Sequence, residues 1–139
     1  MHQQWQEFSR EESEHLLEKC SEGRLGLCYD GEPYVVPVAY KYYQGRIYFH
    51  SFKQGRKVDL IKKNSRVCFE VDESHDVYWA SVMCYGNIEL HDDVDSKREC
   101  FKLLTGMVMD DARLARVDVY VGIIDVQEMT GRSGHAPHM

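Results

Sequence analysis

The sequence predicts an α+β domain dominated by β structure: an antiparallel barrel of six to seven strands with flanking helices. Three observations carry that prediction. Six to seven runs rich in β-branched and aromatic residues follow one another, most joined by short turns. The long run Tyr78 to Leu90 is interrupted by Gly86, and long strands bent at glycine are typical of small closed barrels. Strand and helix never alternate regularly enough for a Rossmann sheet, and neither a G-x-G-x-x-G nor a Walker loop is present.

The elements follow in chain order. Ser9-Arg10-Glu11-Glu12 has the form of a capping box, and Leu16, Leu17 and Cys20 recur at helical spacing, which predicts a helix over 10–21. Arg24 to Tyr29 reads as a strand, and Asp30-Gly31 as a hairpin turn. Val35 to Tyr43 then reads as one long strand that turns at Gln44-Gly45 and pairs with Arg46 to Ser51, making a three-stranded meander. A helix over 56–63 ends at Asn64. Val67, Phe69 and Val71 alternate with Cys68, Glu70 and Asp72 as in a half-buried strand; Asp72 to Asp76 is turn-like, and Tyr78 to Leu90 follows. Asp92, Asp93 and Asp95 suit the start of a helix over 94–105, which explains the acidic cluster better than a calcium loop does. Met107 to Arg116 is irregular or briefly helical. Val117 to Val126 is the last strand, with Val117, Val119, Val121 and Ile123 on one face. Thr130 to Met139 reads as a loose tail, so the single domain over 1–139 has its core at about 10–129.

Composition narrows the function classes. A chain of 139 residues with 43% apolar content can bury one core without metal or disulfide staples. No run is long and apolar enough for a bilayer and no signal-peptide pattern opens the chain, so the expectation is a cytoplasmic protein with no membrane partner. Five cysteines at 20, 28, 68, 84 and 100 include no Cys-x-x-Cys pair and read as buried thiols. His135 and His138 have metal-compatible spacing, but two ligands on a tail make a poor site, and no metal is expected. The net charge of −6 argues against nucleic acid as a partner.

One stretch departs from that acidic background. Between Lys53 and Arg66 stand six cations (Lys53, Arg56, Lys57, Lys62, Lys63, Arg66) against one carboxylate, Asp59. Lys62, Lys63 and Arg66 have a plain explanation as a solvated helix end, whose carbonyls favour cations. Arg56 and Lys57 do not, because they fall at the helix start. There Gly55 turns the chain, and the first free N–H groups of the helix face the same volume as the two cations, which is a seat for phosphate.

Five segments in register resemble a known family. Gly23-Arg24-Leu25-Gly26-Leu27, Pro33-Tyr34-Val35-Val36-Pro37-Val38, Gly45-Arg46-Ile47-Tyr48-Phe49-His50-Ser51, Gly55-Arg56-Lys57 and Val67-Cys68-Phe69-Glu70-Val71-Asp72 are similar in order and spacing to the FMN-binding split barrel of the pyridoxamine 5′-phosphate oxidase-like superfamily. Within it the nearest branch is the nitroimidazole-resistance-like proteins. The similarity extends to Ser81-Val82 and Gly86, and more weakly to Thr130-Gly131-Arg132. The C-terminal Arg/His substrate-phosphate motif of the authentic oxidases is not found in Gly131-Arg132-Ser133-Gly134-His135, so pyridoxamine-phosphate oxidase activity is not carried over.

The resemblance implies a homodimer with FMN in grooves between the subunits. It assigns Arg56 and Lys57 to the phosphate, with His50 and Ser51 beside it as further donors. Val36, Pro37, Val38 and Ala39 would offer backbone groups and an apolar floor to the ring, and Ser81 and Val82 would approach its other edge. A strand-end histidine such as His50 is by itself more often structural; its register with Gly55-Arg56-Lys57 favours the functional role. The implied activity is an FMN-dependent oxidoreductase acting on a small acceptor, such as a nitro-aromatic, with catalytic residues unassigned. The alternative is a non-catalytic flavin- or haem-binding, redox-sensing protein, with His50 as the iron ligand in the haem case.

Overall fold

The computed structural model describes residues 5–135. The elements are β1 (Trp5–Glu7), α1 (Arg10–Lys19), β2 (Glu22–Tyr29), β3 (Glu32–Ala39), β4 (Lys41–Tyr43), β5 (Arg46–Ser51), α2 (Arg56–Lys63), β6 (Arg66–His75), β7 (Tyr78–His91), α3 (Val94–Thr105), α4 (Asp111–Ala115) and β8 (Tyr120–Gly134). All eight strands share one antiparallel sheet with the path β3-β2-β6-β7-β8-β5-β4, and β1 pairs with β8. The two ends of that path, β3 and β4, are consecutive in the chain and separated only by Tyr40. The sheet must therefore roll up, which makes it a barrel.

Tyr40 is the corner, and it corrects the expectation of one strand from Val35 to Tyr43. Its N–H donates to the Ser21 carbonyl at 3.1 Å and its hydroxyl to the Leu17 carbonyl at 2.6 Å. Before it, Glu32–Ala39 pairs with β2; after it, only Lys41–Tyr43 pairs with β5. A straight strand cannot change partners in this way, so the chain bends where Tyr40 enters the core. Tyr48 is also a core tyrosine, buried and donating its hydroxyl to Glu99 at 2.9 Å.

The barrel interior takes one side of each strand: Leu25 and Leu27, Ile47 and Phe49, Val67, Phe69 and Val71, Val82, Cys84 and Ile88, closed by Leu16 and Leu17 of α1. Ser9 caps α1 with a full capping box. Outside the barrel, α3 lays Cys100, Leu103 and Leu104 over Tyr48, Val121 and Ile123. Tyr48 of β5 and the first part of β8, around Val121 and Ile123, are thus covered on the outer face as well. In β7 the register shifts between Tyr85 and Gly86, at the predicted bend. A Cβ on Gly86 would lie 2.0 Å from the Asp125 carbonyl oxygen, so only glycine fits.

The C-terminal stretch differs from the predicted loose tail. Thr130–Gly134 continues β8, held by β7 on one side and, from Arg132 on, by β1 on the other. The start of β7 would otherwise leave a row of open backbone groups. The last strand accordingly begins at Tyr120, after Val117 and Val119. His138 lies outside the described residues. The thiols also differ: Cys84 and Cys100 are buried, Cys20 and Cys68 are intermediate, and Cys28 is exposed. Cys28 and Cys68 fall at the outward-pointing positions of β2 and β6, where alternation turns them from the core. Among the described residues no helix is long and apolar enough to cross a membrane.

Candidate functional site

The strand β5 ends at Ser51, buried on the barrel wall, whose Oγ donates to the Phe52 carbonyl at 2.8 Å. Its proton is therefore spent locally. The connection to α2 is tethered by Lys53, which pairs with Asp92 at 2.8 Å and Asp118 at 3.0 Å. Gly55 then takes φ +123° and opens α2 with no side-chain cap. The other three helices are each capped by a side chain, Ser9, Asp93 or Asp110. In α2 the apolar residues Val58, Leu60 and Ile61 are buried, which fixes the helix and leaves Arg56 and Lys57 at its open end.

Both cations rest on aromatic rings. The Arg56 guanidinium lies 5.4 Å from the Tyr34 ring centroid, and Lys57 Nζ lies 5.8 Å from that of Phe49. His50 stacks on Phe101 of α3, with centroids 5.2 Å apart. Burial, and then the nearby Lys57, hold the His50 pKa below its usual 6.5, and burial lowers that of Lys57. Neither Arg56 nor Lys57 has a carboxylate partner among the described residues. The corner is thus positive, partly dry and uncompensated, and an anion would relieve all three conditions.

The predicted ring-binding residues divide. On β3, Pro37 and Ala39 point outward and are exposed, Val36 is half-buried, and the Val38 side chain belongs to the core. Because β3 ends the sheet path, one line of its backbone groups is open to a ligand. Ser81 and Val82 lie elsewhere: the path from β3 to β7 crosses β2 and β6, and no residue of the corner lines their cavity. Val82 is 1% exposed as a whole residue, and its side chain belongs to the core. Ser81 lines a cavity of about 420 Å³ with Trp5, Glu70, Met83, Thr130 and Arg132. One chain therefore brings together His50, Arg56 and Lys57, and keeps Ser81 and Val82 apart from them.

Sequence reasoning missed Tyr34, Phe49 and Phe101 as the aromatic supports of the corner. The alternation Tyr34, Val36, Val38 held a signal for the first of them. It also missed a second hollow of about 570 Å³ on the outer face, lined by Cys28, Pro33, Val35, Cys68 and Tyr85 among others. There Val35 is 65% exposed.

A rolled antiparallel sheet whose path ends on two strands joined through Tyr40 defines a split barrel. Residues 9–133 match the family model described as pyridoxamine 5′-phosphate oxidase, and the chain belongs to that family. An uncharacterised protein of Rhizobium meliloti is 32% identical over 83 residues, covering 59% of this chain and 54% of the relative. The chain thus matches about half the length of that curated relative. Among solved structures, a proposed 5-nitroimidazole antibiotic resistance protein from Bacteroides thetaiotaomicron superposes with a TM-score of 0.81 at 22% identity, covering 96% of this chain and 93% of that one. A FAD-binding protein from Mesorhizobium loti gives 0.78 at 25% identity, covering 94% and 98%.

Proposed function

We infer that the chain binds a flavin, FMN, and works as an FMN-dependent oxidoreductase on a small acceptor. The observation that carries this reading is the start of α2, where uncapped N–H groups stand beside Arg56 and Lys57 with no carboxylate to neutralise them. Family membership and the FAD-binding relative support a flavin as the anion's owner. In this reading Arg56 grips the phosphate as a fork and Lys57 as a point charge, His50 adds a donor, and the ring lies along the open edge of β3 over Val36 to Ala39. FMN supplies the redox chemistry; the chain's own residues bind it, orient it and exclude water from one face.

The site is proposed to be completed by a second copy of the chain. The observation in favour is the separation just described: β2 and β6 stand between β3 and the strand that carries Ser81 and Val82 in the same chain. The outer apolar hollow beside β3, with Val35 and Tyr85 exposed in its lining, is a surface suited to that contact. An absorbance spectrum of the freshly purified protein tests the cofactor. Paired near-ultraviolet and blue bands are expected; a Soret band would replace flavin by haem. Anaerobic reoxidation of the reduced protein by nitro-aromatic acceptors tests turnover, and a cofactor that stays reduced would leave a binding protein.

A further inference from the structure

The cavity that holds Ser81 contains chemistry that flavin binding at the corner does not use. Two outward rows cross there, Glu70–Met83–Thr130 and Ser81–Arg132–Glu7, given by the β6–β7, β7–β8 and β1–β8 registers. Glu70 is already engaged: Arg24 donates to it at 2.7 Å and to Asp72 at 2.5 Å. Arg132 is not engaged by any carboxylate among the described residues. Its guanidinium lies 5.7 Å from the Trp5 ring centroid, in cation–π contact. The hydroxyls of Ser81 and Thr130 make no hydrogen bond among the described residues, and Glu7, exposed at the rim, bonds to neither. These three free donors line a space of about 420 Å³ whose walls also include Trp5 and Met83, the Arg24-bound Glu70 and, at the rim, Glu7.

We propose that this cavity is the seat of the acceptor, a small flat molecule carrying a carboxylate, whose oxygens take the Arg132 fork and the Ser81 and Thr130 hydroxyls while its ring lies against Trp5 and Met83. This assignment rests on the flavin reading, because Ser81 and Val82 are the residues expected at the ring's edge. Arg132 disfavours an organic cation, and Glu70, the carboxylate that could attract one inside the cavity, is already taken by Arg24. A purely apolar ligand would leave three donors buried without partners.

The test is a titration of the full chain as purified with benzoate, followed by tryptophan fluorescence and by the flavin absorbance bands, with benzylamine as the control. Saturable benzoate binding is expected, with no response to benzylamine. Arg132→Ala should weaken benzoate at least about tenfold, as loss of a charge-assisted pair implies. Arg132→Lys should recover part of that loss, and both variants should keep their flavin. Equal benzoate affinity in Arg132→Ala, or benzylamine binding as well as benzoate, overturns the proposal. Loss of flavin from Arg132→Ala also overturns it, by assigning Arg132 to the cofactor. If the wild-type protein carries no flavin, the flavin reading fails, while the fluorescence titration still decides what the cavity binds.

Discussion

The cations of this protein fall into two populations. Around α3, Lys97 is 4% exposed, donates to the Val117 carbonyl at 2.7 Å and pairs with Asp92 at 3.0 Å; Lys53 bridges Asp92 and Asp118; Arg98 pairs with Asp95 and Asp111. On α2, Arg56, Lys57, Lys62 and Lys63 have no carboxylate partner among the described residues, and each lies against a ring, of Tyr34, Phe49, Tyr120 and Tyr29 respectively. In an acidic chain this is not a shortage of carboxylates. The first population locks loops in place; the second is left uncompensated, and its N-terminal half is the proposed seat of the FMN phosphate.

The largest effect should come from emptying that half. The double variant Arg56→Ala, Lys57→Ala removes two charge-assisted contacts of about 1.5–3 kcal/mol each, so FMN affinity should fall about 100-fold or more. Far-ultraviolet circular dichroism and the melting temperature of the flavin-free protein should stay near wild type, because neither side chain fills the core. Retained stoichiometric flavin would end the phosphate assignment. The paired population should behave oppositely. Lys97→Met leaves the Val117 carbonyl and one side of Asp92 without a donor, costing about 1–3 kcal/mol in urea unfolding. The folded fraction should still bind flavin in full, and a Lys97 variant that lost flavin with unchanged stability would dissolve the contrast.

What made these populations legible in the sequence was local. The helix over 56–63 and the cations at its start follow from Gly55 and from the apolar pattern Val58, Leu60, Ile61, and the capping box at Ser9 and the bend at Gly86 are equally local signals. What was not legible depends on distant partners. Tyr40 looks like any strand residue until Ser21 and Leu17 are known to accept its hydrogen bonds. The order of Thr130–Gly134 depends on Trp5–Glu7, more than a hundred residues earlier, and a three-residue strand carries no periodicity of its own. The Arg132 cavity is built from four strands, so no single stretch could announce it.

His50 sharpens the comparison at intermediate size. In the free protein its pKa is held below 6.5 by burial and by Lys57. As pH falls below that value, the unfolded chain takes up a proton that the folded chain resists, and stability should decline. A bound phosphate reverses the sign, because its charge draws a proton onto His50 and raises the pKa. Binding then takes up a proton, and FMN affinity should rise as pH falls from about 7.5 toward 6.5. Below this window the phosphate's own ionisation near pH ~6 interferes. Flavin fluorescence quenching on wild type and His50→Gln measures it. Identical pH slopes in the two proteins would remove His50 from the corner.

The smallest effect is expected at the other end of α2. Lys62 and Lys63 are exposed, and they sit in the last turn, where the free carbonyls rather than N–H groups set the local field. A helix of eight residues puts them roughly 9–10 Å from Arg56 at 1.5 Å per residue, about one Debye length at physiological salt. Lys62→Ala with Lys63→Ala should therefore change FMN affinity by less than about twofold at 0.15 M salt, with a somewhat larger change at 0.01 M, where screening is weak. A loss comparable to that of Arg56→Ala, Lys57→Ala would mean that the ligand's charge extends along the whole helix. The anion would then have to be longer than one phosphate, and all four α2 cations would belong to its seat.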